Sequence, residues 1–132
     1  MNLEMEKLFV DKYIIKNRRK RILYELCKHG KRLDAISRFC HNCDMYIDER
    51  KILYRGKDIT DNMYIKKYGG AKEGYLICWD PECDMKHISV NLAIPMIRAD
   101  GMCMIFISEN ICIVSTEQVQ GAKEIVVLTC NK

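Results

Sequence analysis

Two tight cysteine pairs restrict this chain more than any other feature. Cys40-His41-Asn42-Cys43 and Cys78-Trp79-Asp80-Pro81-Glu82-Cys83 are separated by 34 residues. Cys-x2-Cys followed by Cys-x4-Cys is metal-ligand spacing, and tetrahedral Zn²⁺ is the ion it suits. The predicted ligands are therefore Cys40, Cys43, Cys78 and Cys83, with His87 as an alternative four residues further on. Four protein ligands leave no position open for water, so the zinc is expected to be structural. A redox dithiol at Cys40 and Cys43 is disfavoured, because the preceding Trp and the strand-to-helix setting of thioredoxin-like sites are missing.

At 132 residues, 48% hydrophobic and 30% charged, the chain reads as one compact globular domain and not as a disordered segment. Glu4 and Glu6 stand where a signal peptide requires cations, and no apolar segment follows them. The apolar runs are shorter than the roughly 18 residues a membrane helix needs. These features predict an intracellular protein, cytoplasmic or nuclear, neither secreted nor membrane-bound. In a reducing compartment, eight cysteines suggest metal ligands and buried thiols in place of disulfides. Cys27, Cys103, Cys112 and Cys130 follow no metal spacing and are expected in the core.

Net charge is only +4, but it is unevenly placed. Residues 16–32 carry Lys16, Arg18, Arg19, Lys20, Arg21, Lys28, Lys31 and Arg32 against the single acid Glu25. Such a cluster suits phosphate contacts, and it suits a solvated helix face as well. Arg18, Arg19, Lys20, Arg21, Lys31 and Arg32 are the predicted nucleic-acid contacts. Tyr46, Tyr54, Tyr64, Tyr68 and Tyr75 interleave with further cations, a pattern of stacking platforms or of amphipathic strands. Trp79 either packs over the metal or stands exposed for stacking.

Three regions are expected: a basic helical arm over 1–35, a metal-stapled region over 36–92 and an antiparallel β region over 93–132. Residues 2–15 read as a helix capped by Asn2. Asn17 is a second candidate cap, ahead of an apolar face of Ile22, Leu23, Leu26 and Cys27 that Gly30 ends. Residues 33–39 are expected to run extended into the first cysteine pair. A hairpin is expected with strands around 45–47 and 52–54, then a short helix over 61–67. Strands follow over 74–77 and 87–92. The tail reads as a meander of strands over 94–98, 102–107, 111–115 and 124–130, with Asp100-Gly101 as a turn. Met102, Met104 and Phe106 alternate with Cys103, Ile105 and Ile107, so neither face of that strand is polar. It is buried on both sides, or buried on one and adhesive on the other.

Residues 39–90 resemble the four-cysteine zinc ribbons, in particular those at the C-terminal end of bacterial type IA DNA topoisomerases and the small phage late-gene transcription activators. Cys40, Cys43, Gly74, Tyr75, Cys78, Pro81, Glu82 and Cys83 carry the likeness. The spacer between the pairs is longer than in a minimal ribbon. A fainter similarity links the Cys-x2-Cys and the later Gly74-Tyr75 element to small poxvirus late transcription factors. An Ile-, Lys-, Tyr- and Met-rich chain also suits the AT-rich genome of a large DNA virus. The resemblance implies structural zinc and a role on nucleic acid.

The expected fold is α+β: N-terminal helices, a zinc ribbon with an inserted short helix, and a C-terminal antiparallel meander. The expected function is that of a zinc-binding accessory factor in transcription or replication, with DNA or RNA phosphates as partner. The alternative is a zinc-stapled protein-interaction module whose apolar C-terminal sheet pairs with itself or with another protein. No phosphate loop or hydrolase triad is visible, so no enzyme is expected.

Overall fold

The computed structural model describes residues 2–56, 73–93, 103–108, 111–117 and 123–130. Within them the protein is α+β, with helices first and an antiparallel sheet after.

Helix α1 (Leu3–Tyr13) starts as its sequence dictates. The Asn2 side chain accepts a hydrogen bond from the Met5 amide at 3.1 Å, and Glu4 and Glu6 occupy the positive end of the helix dipole. Phe9, Val10 and Tyr13 are buried. The chain then extends. Ile14 bridges to Ile47, the Ile15 amide donates to the Tyr46 carbonyl, and the Asp48 amide donates to the Tyr13 carbonyl. That pairing fixes where helix α2 (Lys16–Cys27) begins. Ile15 takes the cap position without a side-chain bond, and Asn17 lies inside the first turn, not at the cap. Gly30, at φ +90°, adopts the left-handed conformation that breaks the chain after α2.

Helix α3 (Arg32–His41) replaces the extended segment expected over 33–39. Its buried Ala35, Ile36, Phe39 and Cys40 fall at i, i+1, i+4 and i+5, the spacing that marks a helix face. Cys40 completes that face. Helix α4 (Cys43–Tyr46) is one further turn and occupies the place of the expected first hairpin strand. A 3₁₀ turn (Glu49–Lys51), capped by Asp48, leads into β1 (Ile52–Gly56).

The other strands are β2 (Glu73–Cys78), β3 (His87–Ser89), β4 (Cys103–Ser108), β5 (Ile111–Glu117) and β6 (Lys123–Leu128). Their order across the sheet is β1-β6-β5-β4-β2-β3, every pairing antiparallel. Hence β1 pairs with β6, not with residues 45–47 in a hairpin. Strand β3 is shorter than the expected 87–92, because residues 90–93 are helical. The short helix predicted over 61–67 and the strand over 94–98 lie outside the described residues.

Strand alternation sorts the sheet side chains into two sets. Tyr75, Ile77, Met104, Phe106, Cys112, Val114, Val126 and Leu128 pack with the helices, and Phe106 meets Phe9 and Tyr13 edge-on at 6.3 and 6.1 Å. Leu76, Cys78, Cys103, Ile105, Ile113 and Val127 belong to a second cluster with Val90 and Ala93. Both sets are buried. The alternation without a polar face therefore reflects a central sheet, and the described apolar strands present no adhesive face to solvent.

Candidate functional site

The sheet separates the two cysteine pairs. Cys40 and Cys43, from α3 and α4, lie in the cluster between helices and sheet. Cys78, the last residue of β2, belongs to the cluster on the opposite face, and Cys83 packs against that second cluster. Among the described residues, no group of three or more His, Cys, Asp or Glu side chains is placed to hold a metal ion. The predicted ligands Cys40, Cys43, Cys78 and Cys83 are divided between the two core clusters in this fold, the first two in one and the last two in or against the other. The ring of His87, the alternative ligand, lies 4.9 Å from that of Tyr75, and its nitrogens face Glu73 and Asn2.

Each pair has local bonding of its own. The turn after Cys78 is closed by Asp80, whose carbonyl accepts from the Cys83 and Asp84 amides and whose carboxylate accepts from the Glu82 amide. The Cys83 thiol points to the same carboxylate at 3.7 Å. Trp79, 46% exposed, stands at the surface of this turn. Cys112 shares the cluster of Cys40 and Cys43, and Cys130 packs against it. Burial, and then the neighbouring thiols, push the Cys43 and Cys112 thiols upward in pKa, so both stay protonated at neutral pH.

The predicted phosphate contacts divide. Arg32 is 8% exposed and bonded inside the protein, unlike the exposed cations of the group. Its Nη1 donates to Glu6 Oε1 at 2.5 Å and to the Leu26 carbonyl, while Nε and Nη2 grip Asp84 at 2.7 and 2.9 Å. Burial works against its charge, yet the hydrogen bonds to Asp84 and Glu6 outweigh this and raise the guanidinium pKa. Tyr75, which donates to Glu6 at 2.6 Å, closes the network. Arg18 lies over the Tyr46 ring at 5.1 Å, and Arg19 donates to the Ile14 carbonyl at 2.8 Å. These two brace the start of α2 while remaining partly exposed.

Lys20, Arg21 and Lys31 are exposed, together with Lys16 and Lys28. Positions 16, 20, 21, 24 and 28 share one side of α2, because a helix returns to the same side every three to four residues. Tyr24 projects from that side, 54% exposed. Lys28 donates to its hydroxyl at 2.9 Å, and the Lys28 and Lys31 ammoniums lie 5.4 and 5.8 Å from its ring centre. The bond from Lys28 lowers the Tyr24 pKa. Nearby acids are already used: Glu25 is buried against Arg21 and Arg38, and Asp34 pairs with Arg38. Tyr24 was legible as an aromatic inside the basic run, but only the helix phase shows that it points outward. Tyr46 and Tyr75, by contrast, are buried and serve the core. Tyr64 and Tyr68 lie outside the described residues.

A cleft of about 640 Å³ opens beside this stripe, between the α2–α3 turn and the turn over 81–85. Leu26, Leu33, Pro81 and Met85 supply apolar walls, and the Arg32–Asp84 pair supplies a polar edge. Met85 stands at φ +69°, a left-handed conformation unusual outside glycine, and its amide bonds to the Leu76 carbonyl. Cys27 lines the cleft and is exposed, not in the core as expected, and its partial burial and then Glu6 raise its thiol pKa.

No described helix is long and apolar enough to cross a membrane. In comparison with known proteins, no family model, curated protein or solved structure matches the chain.

Proposed function

We propose that this protein is a nucleic-acid-binding accessory protein that engages the phosphate backbone through the outer side of α2 and the α2–α3 turn. One observation carries the reading: Lys16, Lys20, Lys28 and Lys31 are exposed around an exposed Tyr24, beside an exposed Arg21 that reaches Glu25 at 3.7 Å, while Arg38 takes up Glu25 and Asp34. Cations freed from internal acids release counterions when they meet phosphates, which makes binding tight and salt-dependent. An exposed aromatic among them supplies a stacking surface for a base. Arg18 and Arg19 anchor the stripe to the core and add peripheral charge. The reading rests on the cations of α2 and of the α2–α3 turn and does not depend on zinc.

The test is fluorescence anisotropy with labelled single-stranded and duplex oligonucleotides across a salt series. The wild type should bind at about 50 mM salt, with affinity falling steeply as salt rises. Changing Lys20, Arg21, Lys28 and Lys31 together to Ala should flatten the log–log slope by roughly 3, at 0.7–0.9 per lost phosphate contact. Absence of binding at low salt, or an unchanged slope in the variant, would reject the proposal.

A further inference from the structure

Cys78 has a cysteine partner within the sheet. In the β2–β4 register it lies directly opposite Cys103. Both side chains belong to the cluster on the sheet face away from the helices, and both residues are buried. Among the described strand pairings, this is the one place where a cysteine faces a cysteine. Directly opposed residues of an antiparallel pair hold their Cβ atoms about 4.5–5.5 Å apart. A disulfide needs roughly 3.8 Å, a distance that a small adjustment of two strands supplies. Cys78 ends β2 and Cys103 begins β4, so the pair sits at the end of the ladder, where strands open most readily.

Across β4, the register places Ser115 opposite Cys103 on its other side. The Ser115 hydroxyl is buried and, among the described residues, is the one buried side-chain oxygen or nitrogen without a hydrogen-bond partner. A buried hydroxyl without a partner is costly in an apolar cluster. The register places it on the same sheet face as Cys103.

We propose that Cys78 and Cys103 are a redox pair that closes to a cross-strand disulfide under peroxide. One sulfur attacks hydrogen peroxide as thiolate, the O–O bond breaks, and a sulfenic acid and one water are produced. The second sulfur displaces hydroxide from it, and a second water leaves. Two thiols thus lose two electrons to one peroxide, and one S–S bond joins β2 to β4. Dithiothreitol reverses the change. This inference is independent of the nucleic-acid reading.

The experiment treats the full chain with hydrogen peroxide near one equivalent, then quenches, alkylates free thiols and maps peptides without reduction. Cleavage before Asp80 separates Cys78 from Cys83, and cleavage after Glu109 separates Cys103 from Cys112. The expected result is one cross-linked species joining Cys78 to Cys103, a fall from eight alkylatable thiols to six, and full recovery with dithiothreitol. In Cys78→Ser, the Cys103 thiol should remain alkylatable under the same treatment. Should that variant fail to fold, the wild-type map decides alone. A first disulfide between any other pair, or all eight thiols surviving, would overturn the proposal.

Discussion

Replacing Arg32 by Met removes the cation from a site where two carboxylates have little water. The side chains of Glu6, Asp84 and Arg32 are 0%, 7% and 9% exposed. The substitution takes one donor from Glu6, two from Asp84 and one from the Leu26 carbonyl. Glu6 keeps the Tyr75 hydroxyl, and Asp84 keeps the Cys78 amide. Each acid therefore retains a neutral donor but loses its counter-charge. Removing one partner from a buried ion pair costs about 3–5 kcal/mol, because the remaining charge stays desolvated. A domain of this size is stable by roughly 5–15 kcal/mol, so the variant should fold but sit close to the edge. Urea unfolding followed by circular dichroism should show the loss, with the midpoint lowered by more than about 1 M at ordinary m-values. Adding Glu6→Gln to the Arg32→Met chain should recover part of it, since one stranded charge is removed. A destabilisation below about 1 kcal/mol would show that water reaches these carboxylates and that the buried network is not what holds α1, α3 and the 79–85 turn together.

Four smaller tests address other parts of the fold. Gly74→Ala would place a Cβ 2.5 Å from Cγ1 of the fully buried Ile105, so a loss of about 1–3 kcal/mol is expected in the same unfolding assay. Phe9→Ala empties a site ringed by Tyr13, Phe39 and Phe106 and should cost about 3–5 kcal/mol by urea or thermal melts. The Asp48 carboxyl is held below its usual range by hydrogen bonds from Arg50, so its contribution is present above its unfolded pKa near ~3.9 and is lost as pH falls through the lower folded value. Melting temperatures of wild type and Asp48→Asn should therefore differ at pH 5 and converge toward pH 2. Lys28→Ala removes the donor that lowers the Tyr24 pKa, and an ultraviolet titration should show this tyrosine ionising at higher pH.

The basic run and the cysteine pairs differ in how well they could be read from sequence. The charges of residues 16–27 lie on one amphipathic helix and Lys31 in the turn after it, so Lys20, Arg21 and Lys31 were legible as a surface. Arg32 was counted with them because nothing local distinguishes it. Its burial depends on Glu6, 26 residues earlier, and on Asp84, 52 residues later. Cys40 was read only as part of a metal-ligand spacing, and the structure also places it on the buried face of α3. Packing of Phe39 against Phe9 and Tyr46 favours the helix. A ligand spacing states only that two thiols can converge locally. Whether two distant pairs meet depends on which face of the sheet each one reaches, and strand parity set Cys78 on the far side from Cys40.

By itself, the sequence determined the α+β class, the Asn2-capped first helix, the strands around Tyr75, Phe106, Cys112 and Val126, and the concentration of cations on α2. These follow from capping chemistry, side-chain period and charge, which act over a few residues. Tertiary structure alone decided the sheet order, the pairing of β1 with β6, the burial of Arg32 and the separation of the cysteine pairs. Those outcomes depend on contacts between segments far apart in the chain, where burial energy and strand register select one arrangement among many that local preference permits equally.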